Sequence, residues 1–182
     1  MTTEREVILV NEKDEAVGTM EKMQAHLQGV LHRAFSVFIF NNKGEMLLQQ
    51  RAYTKYHSGG LWTNACCSHP QPGEDTAEAA MRRLQEEMGF TVPLKKIFQF
   101  TYRSELENGL TEYEFDHVFA GNYNGPITPD KNEVEDYRYK SIELIRQRLE
   151  SHPERFTVWF RIAFPRVCHW IKEEGIGANQ GL

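Results

Sequence analysis

The sequence predicts a mixed α/β sandwich, and three observations support this fold class. Short apolar runs of the kind that form strands occur at intervals between residues 7 and 120. A capped amphipathic helix is predicted at residues 74–88, and two further helical segments lie near the C-terminal end. Strands interleaved with helices favour helices packed on the faces of a sheet. With 182 residues, the chain is predicted to form a single domain over residues 1–182 with a sizeable core.

The N-terminal part of the chain predicts three strands and a long loop. Residues 7–10 form a short apolar run, and a turn follows around residues 11–15. The apolar segment 35–40 and the segment 46–50 flank an Asn-Asn-Lys-Gly turn, which is the pattern of a hairpin. Residues 51–73 are rich in glycine and proline and are predicted to be a loop. A loop of this length in a compact domain is usually functional.

The helix predicted at residues 74–88 has clear boundaries. Asp75 is expected to cap it, with Glu78 at the capping-box spacing, and Gly89 is expected to end it. The residues at helical spacing that predict its buried face are Ala77, Ala80, Met81, Leu84 and Met88.

The remaining elements are two strands and two helices. The strands are predicted at residues 96–103 and 110–120, and a short helix at 141–149. Pro153 is expected to open a last helix that runs to about Lys172, with Gly175 beyond it. The tail at 175–182 shows no pattern and is predicted to be disordered.

Composition and charge exclude several classes of protein. The net charge is −5 and no cluster of Lys and Arg occurs, so a nucleic-acid or membrane-surface role is not expected. No segment approaches the ~20 apolar residues of a membrane span, and no secretory signal is recognisable. The three cysteines do not form a disulfide framework and favour a reducing cytoplasm. No pattern indicates an oligomeric state.

Three carboxylates on one strand point to a cation site. Alternation along a strand places Glu112, Glu114 and Asp116 on one face and residues such as Phe115 and His117 on the other. Three adjacent carboxylates repel one another unless a cation lies among them. Histidines occur upstream, at positions 26, 32 and 69. Imidazoles and carboxylates together suit Zn²⁺ or Mn²⁺, although a single histidine is more often a surface or hydrogen-bonded residue.

Residues 68–90 resemble the Nudix box, whose pattern is G-x5-E-x7-R-E-U-x-E-E-x-G-U. The matching residues are Glu74, Arg82, Glu86, Glu87, Gly89 and Phe90. Ser68 replaces the opening glycine, and Arg83 replaces the glutamate with which a Nudix hydrolase and its Mg²⁺ activate water. A cation at this position argues against hydrolysis and suits a diphosphate. The alternative is an ordinary amphipathic helix in which Arg83 and Glu87 form a surface pair.

The segment Trp62-Thr63-Asn64-Ala65-Cys66-Cys67-Ser68-His69-Pro70 resembles the Trp-Thr-Asn-x-x-Cys-x-His-Pro signature of type I isopentenyl-diphosphate isomerases. The resemblance extends over nearly the whole chain. It implies a Nudix-like mixed-sheet α/β/α sandwich. It also implies an enzyme that interconverts isopentenyl and dimethylallyl diphosphate by moving the double bond within the molecule. The implied partner is therefore a small isoprenoid diphosphate.

The resemblance also implies two metal sites. A Zn²⁺ or Mn²⁺ site would consist of His26, His32, His69, Glu112 and Glu114, and Glu87 would bind Mg²⁺ together with the diphosphate. His26 stands one residue closer to His32 than in bacterial members of the family, so the intervening loop is expected to close differently. The four histidines that match no family ligand are assigned no role: His57, His117, His152 and His169.

The same resemblance implies the catalytic and substrate-binding residues. Cys67 and Glu114 would act as acid and base on opposite sides of the substrate, and Tyr102 would support Glu114. Cys66 is expected to be a buried core residue. The residues implied to surround the substrate are Lys22, Arg51, Lys55, Arg83 and Trp159.

Two other functions remain compatible with parts of the sequence. The first is a Nudix hydrolase that cleaves a small diphosphate. The second is a non-catalytic module in which Cys67 and His69 bind structural zinc. Structural zinc sites are usually closed and often rich in cysteine, which this set of histidines and carboxylates matches poorly.

Overall fold

A computed structural model describes residues 6–174 of the chain. The strands in this part are Glu6–Val10 (β1), Ala16–Glu21 (β2), His32–Phe40 (β3), Met46–Arg51 (β4), Trp62–Thr63 (β5), Cys66–Ser68 (β6), Lys95–Glu105 (β7), Thr111–Asn122 (β8) and Val134–Lys140 (β9). The α-helices are Lys22–Gln28 (α1), Thr76–Met88 (α2), Ile142–Ser151 (α3) and Val158–Glu174 (α4). The tail at 175–182 lies outside the described residues.

Strand β3 is the centre of a mixed sheet. It runs parallel to β8 with His32 opposite Glu114, and antiparallel to β1, β4 and β6. Strand β7 continues the sheet beyond β8, and β5 and β9 continue it beyond β4. The parallel pair brings the first residue of β3 beside the carboxylates of β8, which positions the site described below.

The sheet lies between two layers of helix, as the sequence predicts. On one face, Phe38 and Val118 pack with Phe160 of α4. On the other face, Val37 and Phe119 pack in the cluster that contains Leu84 of α2. Both faces of the sheet are therefore buried, and the fold is the expected α/β/α sandwich.

Helix α2 has the predicted caps but starts later and buries different residues. The Asp75 carboxylate accepts the N–H groups of Ala77 and Glu78, and Gly89 ends the helix at φ 78°. A Cβ on Gly89 would lie 2.3 Å from the Thr128 carbonyl oxygen, so only glycine fits there. The helix begins at Thr76 because Asp75 is its cap.

Arg83 and Glu87 of α2 form a buried pair, whereas the alternative interpretation of the helix placed this pair on the surface. The guanidinium of Arg83 lies 2.8 Å from Oε1 of Glu87, and both side chains are buried. Ala79 completes the apolar face, whereas Met81 is only partly buried. The pair faces the cavity described below and not the solvent.

Several boundaries and elements differ from the sequence predictions. The last helix begins at Val158 because Pro153 starts a separate 3₁₀ turn. Between the two, Phe156 bridges to Trp62 and the Thr157 N–H donates to the Trp62 carbonyl. Strands β2 and β9 and helix α1 were missed. The predicted loop at 51–73 contains the short strands β5 and β6.

Candidate active site

The residues assigned to catalysis and substrate binding line one cavity of about 710 Å³. Its walls come from α1, β4, β6, α2, the β7–β8 pair and the first turn of α4. The predicted site residues on its surface are Lys22, Arg51, Lys55, Cys67, His69, Arg83, Glu87, Tyr102, Glu112, Glu114 and Trp159. His26 and His32 are fully buried beside it.

Four side chains from separate elements form a potential metal-binding group. Helix α1 supplies His26, β3 supplies His32, the residue after β6 is His69, and β8 supplies Glu114. One donor atom from each lies within 4.8 Å of the others. Nε2 of His69 is 3.0 Å and Nε2 of His32 is 3.5 Å from Oε1 of Glu114. His26 therefore joins the group despite its altered spacing.

Backbone carbonyls fix the tautomers of two of these histidines. Nδ1 of His26 lies 2.7 Å from the Lys22 carbonyl oxygen, and Nδ1 of His32 lies 2.8 Å from that of Val30. A carbonyl only accepts, so Nδ1 carries the proton and Nε2 presents a lone pair. Neither Nε2 atom has a hydrogen-bond partner. Buried lone pairs that converge beside a carboxylate fit a divalent cation, and these Nδ1–H contacts are those of typical ligand histidines.

A tyrosine connects the two glutamates of β8. Oη of Tyr102 lies 2.9 Å from Oε2 of Glu112 and 2.8 Å from Oε2 of Glu114. Burial raises the pKa of Tyr102 well above its usual value, and the adjacent carboxylates raise it further, so the hydroxyl keeps its proton. The hydroxyl thus orients both carboxylates and supplies one exchangeable proton between them.

Burial keeps most of the imidazoles in the form that binds metal. It lowers the pKa of His69 to about 3 and also lowers the pKa of His26. Burial alone would raise the pKa of Glu114, but the adjacent imidazoles of His32 and His69 bring it well below its usual value. His32 differs, because contact with Glu114 outweighs burial and raises its pKa. Neutral imidazoles around an ionised carboxylate can bind a cation without first losing a proton.

The metal-free protein should lose stability as the pH falls from about 6.5 toward 3. The unfolded imidazole of His69 gains a proton below about pH 6.5, whereas the folded one stays neutral to about pH 3. The unfolded state then binds more protons, so this residue lowers the unfolding free energy by up to about 1.4 kcal/mol per pH unit. Lowered pKa values at His26 and Glu114 act in the same direction, and His32 opposes them.

Urea unfolding of chelator-treated protein at about pH 7 and about pH 5 measures this dependence. His69→Gln removes the titrating group and should make the dependence shallower. An unfolding free energy of the wild type that does not fall between these two pH values would contradict the prediction.

The Cys67 thiol is held by three neighbours. The indole Nε1–H of Trp159 donates to Sγ over 3.0 Å, Oδ1 of Asn64 lies 3.1 Å away, and Oγ of Ser36 lies 3.5 Å away. Nδ2 of Asn64 donates to the Val37 and Cys66 carbonyls, which aims Oδ1 at the sulfur. The thiol therefore has a fixed orientation.

The electrostatic surroundings of Cys67 favour the protonated thiol in the protein alone. Burial raises its pKa above the usual value, and the nearby Asp116 carboxylate raises it further. A cation brought by a bound ligand would act in the opposite direction. The adjacent Cys66 points to the other face and lies in the core beside α2, as expected from sequence.

Another part of the cavity wall carries basic side chains that are paired with acidic ones. Arg83 contacts Glu87, which also accepts a hydrogen bond from Gln49. Lys55 pairs with one carboxylate oxygen of Glu133, and the other oxygen, Oε1, lies 3.7 Å from Nη2 of Arg83. These contacts fix the positions of the positively charged groups of Arg83 and Lys55 on the cavity wall, where they can contact a small anion.

Two aromatic side chains extend this basic wall. The guanidinium of Arg51 lies 5.3 Å from the ring centroid of Trp159, and Nζ of Lys22 lies 4.9 Å from that of Tyr56. Cations at such distances are attracted to the ring faces, so the aromatic rings keep both basic groups directed at the cavity.

Several residues of this cavity were missed by sequence reasoning. His57 received no role, yet its Nε2 lies 3.1 Å from Oε1 of Glu112. Glu133 and Asn64 were not singled out as site residues, although they hold Lys55 and Cys67. Asp116 was placed on the correct strand face, and it accepts a hydrogen bond from Ser36 at 2.7 Å. In sequence, His57 and Glu133 stand apart from any recognisable motif.

Within the described residues, no helix is long and apolar enough to cross a membrane.

Comparison with solved structures identifies the fold. A protein named DR0079 from Deinococcus radiodurans superposes with a TM-score of 0.74 at 19% identity, over 88% of this chain and 98% of its own. A MutT protein from Methanosarcina mazei gives a TM-score of 0.64 at 23% identity, over 79% and 95%. These identities support the shared fold alone.

Sequence comparison identifies the family. The model of the NUDIX domain matches residues 30–160. An isopentenyl-diphosphate Delta-isomerase from Pectobacterium atrosepticum is 52% identical over 162 residues, which is 89% of this chain and 90% of the relative. Isopentenyl-diphosphate Delta-isomerase 2 from Aromatoleum aromaticum is 46% identical over 175 residues, or 96% and 93%. The chain therefore belongs to the NUDIX domain family and, within it, to the isopentenyl-diphosphate Delta-isomerases.

Proposed function

We propose that the protein is an isomerase that interconverts isopentenyl diphosphate and dimethylallyl diphosphate by protonation and deprotonation, a step of isoprenoid biosynthesis. One observation carries this function: the Cys67 thiol and the carboxylate of Glu114 line the same cavity as four basic side chains. The named relatives support the same reaction. A hydrolase fits less well, because Arg83 replaces the Nudix glutamate that assists water activation and is itself paired with Glu87.

The reaction makes four demands on the protein. An unactivated alkene must gain a proton at its terminal carbon, which produces a tertiary carbocation. A proton is then lost from C2, and the double bond moves by one position. The protein must supply an acid, a base, a pocket that excludes water and an attachment for the charged tail.

Glu114 and Cys67 are assigned the two proton transfers. The carboxyl of Glu114, with the Tyr102 hydroxyl 2.8 Å away, delivers the proton on one side of the alkene. Cys67 removes the proton on the other side, and the roles reverse in the opposite direction. A Zn²⁺ or Mn²⁺ ion held by His26, His32, His69, Glu112 and Glu114 would tune the acidity of Glu114 and fix its orientation.

Trp159 links the base to the carbocation. Its side chain is 3% exposed, and its indole N–H is committed to the Cys67 sulfur. The ring can therefore present its π-face to positive charge while its N–H stabilises a developing thiolate. An interaction of a desolvated cation with an indole is worth about 2 kcal/mol or more.

The basic side chains of the cavity would hold the diphosphate. Lys22, Arg51, Lys55 and Arg83 supply the positive charge, and Glu87 would bind a Mg²⁺ ion that enters with the substrate. Binding of this remote group orients the alkene between the acid and the base. The three free cysteines support a reducing, cytoplasmic setting.

Conversion in deuterated water tests the proposal. Isopentenyl diphosphate and Mg²⁺ are incubated with the protein, and ¹H and ²H NMR identify the product and its label. We expect dimethylallyl diphosphate with deuterium in a methyl group, since the added proton comes from an exchangeable group. Conversion without label would contradict the protonation route, and release of inorganic phosphate would indicate hydrolysis.

A further inference from the structure

Two buried threonines without a role in the proposed reaction lie between helix α4 and the surroundings of the Cys67 thiol. Thr63 is the second residue of β5, and Thr157 is the residue immediately before α4. Neither is more than 1% exposed. Hydroxyls buried this deeply are costly unless they form hydrogen bonds. The hydrogen bonds of these two hydroxyls form one continuous chain that ends at Asn64, a direct neighbour of the sulfur.

The direction of each hydrogen bond in this chain follows from the side-chain amide of Asn64. Its Nδ2 atom donates to two carbonyls, those of Val37 and Cys66, so both amide protons are used. Its Oδ1 atom can only accept, and it lies 2.9 Å from the Thr63 hydroxyl oxygen and 3.1 Å from Sγ of Cys67. The hydroxyl and the thiol therefore both donate to this oxygen.

The chain continues in one direction to the start of helix α4. The Thr63 proton is used on Asn64, so the Thr63 oxygen accepts the hydroxyl proton of Thr157 over 3.0 Å. The Thr157 oxygen in turn accepts the backbone N–H of Phe160 over 3.4 Å, which is the hydrogen bond of a helix N-cap. Each hydroxyl therefore donates one hydrogen bond and accepts one. Removal of either would leave a buried polar group without its partner.

The two ends of the chain carry two groups that contact the same sulfur. Trp159 lies two residues after the cap Thr157, and its indole N–H donates to Sγ of Cys67 over 3.0 Å. Asn64, at the other end, accepts from that sulfur. A backbone contact reinforces the connection, because the Thr157 N–H donates to the Trp62 carbonyl over 3.0 Å. The chain therefore fixes the first turn of α4, and with it the indole, relative to the amide.

We propose that Thr157 and Thr63 are positioning residues for proton transfer at Cys67. Their hydroxyls fix the first turn of α4 against β5, so that Trp159 and Asn64 hold the sulfur in one orientation. This inference rests on the proposed function, because it assigns the threonines to the group that removes the proton from C2. The sulfur must face a substrate held by other residues, and a displacement of about 1 Å in a reacting group can lower the rate by about 10²-fold.

Substitutions that separate the hydroxyl from the shape of the side chain test the proposal. Thr157→Val keeps the shape and removes the hydroxyl, whereas Thr157→Ser keeps the hydroxyl. We expect kcat for isomerisation to fall about 10- to 100-fold in the valine variant, with KM within about twofold of wild type, and to recover to within about threefold in the serine variant. Thr63→Val and Thr63→Ser should behave in the same way. Thr19 is an exposed threonine of β2, and the control Thr19→Val should match wild type.

The indole N–H of Trp159 gives a readout that does not depend on turnover. Its ¹H–¹⁵N NMR signal reports the hydrogen bond to Sγ of Cys67, and the signal of Trp170, about three turns further along α4, serves as the reference. We expect the Trp159 signal to move in both valine variants and to keep its wild-type position in both serine variants. A wild type that does not isomerise the substrate would contradict the proposed function, and this comparison would still test the hydrogen-bond chain.

Three results would overturn the proposal. One is wild-type kcat, or an unmoved Trp159 signal, in both valine variants. Another is a serine variant as impaired as the matching valine variant, which would assign the effect to packing and not to the hydroxyl. The third is a raised KM with unchanged kcat, which would place the threonines in substrate binding. If the valine variants fail to fold, NMR of the wild type replaces them: hydroxyl protons of Thr63 and Thr157 should be protected from exchange with water, and rapid exchange of both would exclude the chain.

Discussion

Cys67→Ala is expected to reduce kcat for isomerisation by about 10³- to 10⁴-fold, the range for loss of a general acid or base. In the proposed mechanism the sulfur accepts the proton on its side of the cavity, and alanine offers no replacement. The three groups around Sγ belong to Trp159, Asn64 and Ser36, and they would face a small void. The side chain is partly exposed to the cavity, so we expect a change of only about 1 kcal/mol in unfolding free energy.

Steady-state kinetics with chemical denaturation measures both effects. Cys168→Ala is a matched control, because this cysteine lies on α4 in the apolar cluster away from the metal group. It should retain wild-type kcat with a small loss of stability. Turnover near the wild-type rate in Cys67→Ala would remove Cys67 from the mechanism.

Glu114→Gln is expected to have a comparable or larger effect, because it affects two functions at once. Its Oε1 atom contacts His32 and His69, and its Oε2 atom contacts the Tyr102 hydroxyl. The amide cannot deliver a proton as a carboxyl can and is a poor ligand for Zn²⁺. We expect kcat to fall at least about 10³-fold and Co²⁺ affinity to fall at least about tenfold.

Glu135→Gln provides the control for this second variant, since Glu135 is an exposed carboxylate on β9. Both proteins are assayed for product by NMR and for metal by titration with Co²⁺. Normal isomerisation by Glu114→Gln would show that the proton comes from another group.

Much of the fold follows from local patterns in the sequence. Strand β3 has a long apolar run, the first half of β8 alternates carboxylates with aromatic residues, and α2 has a cap and a terminal glycine at the expected positions. Strand β2 was missed because nearly all of its residues are exposed, and β9 because most of its residues are charged or only partly buried. These two strands form because β2 pairs with β1 and β9 pairs with β4. A local sequence pattern does not predict such pairing.

The candidate site was predictable to the extent that its residues belong to motifs. Cys67 and His69 stand within a recognisable signature, and Glu112 and Glu114 alternate on one strand. His57 contacts Glu112, and Glu133 contacts Lys55, only because folding brings together segments that stand far apart in the sequence. Contacts between residues far apart in the sequence are visible only in the folded structure, so the roles of His57 and Glu133 could not be predicted.

The parallel register of β3 and β8 has a consequence for folding. In this register His32 lies opposite Glu114, and both side chains point to the same face of the sheet. Because side chains alternate between the two faces along a strand, a slip of β8 by one residue would turn Glu114 toward the α2 layer. The same slip would bury the Glu114 charge among apolar side chains. Binding of a divalent cation by the histidines would therefore require the native register of β3 and β8. A molecule with misaligned strands should not bind the ion.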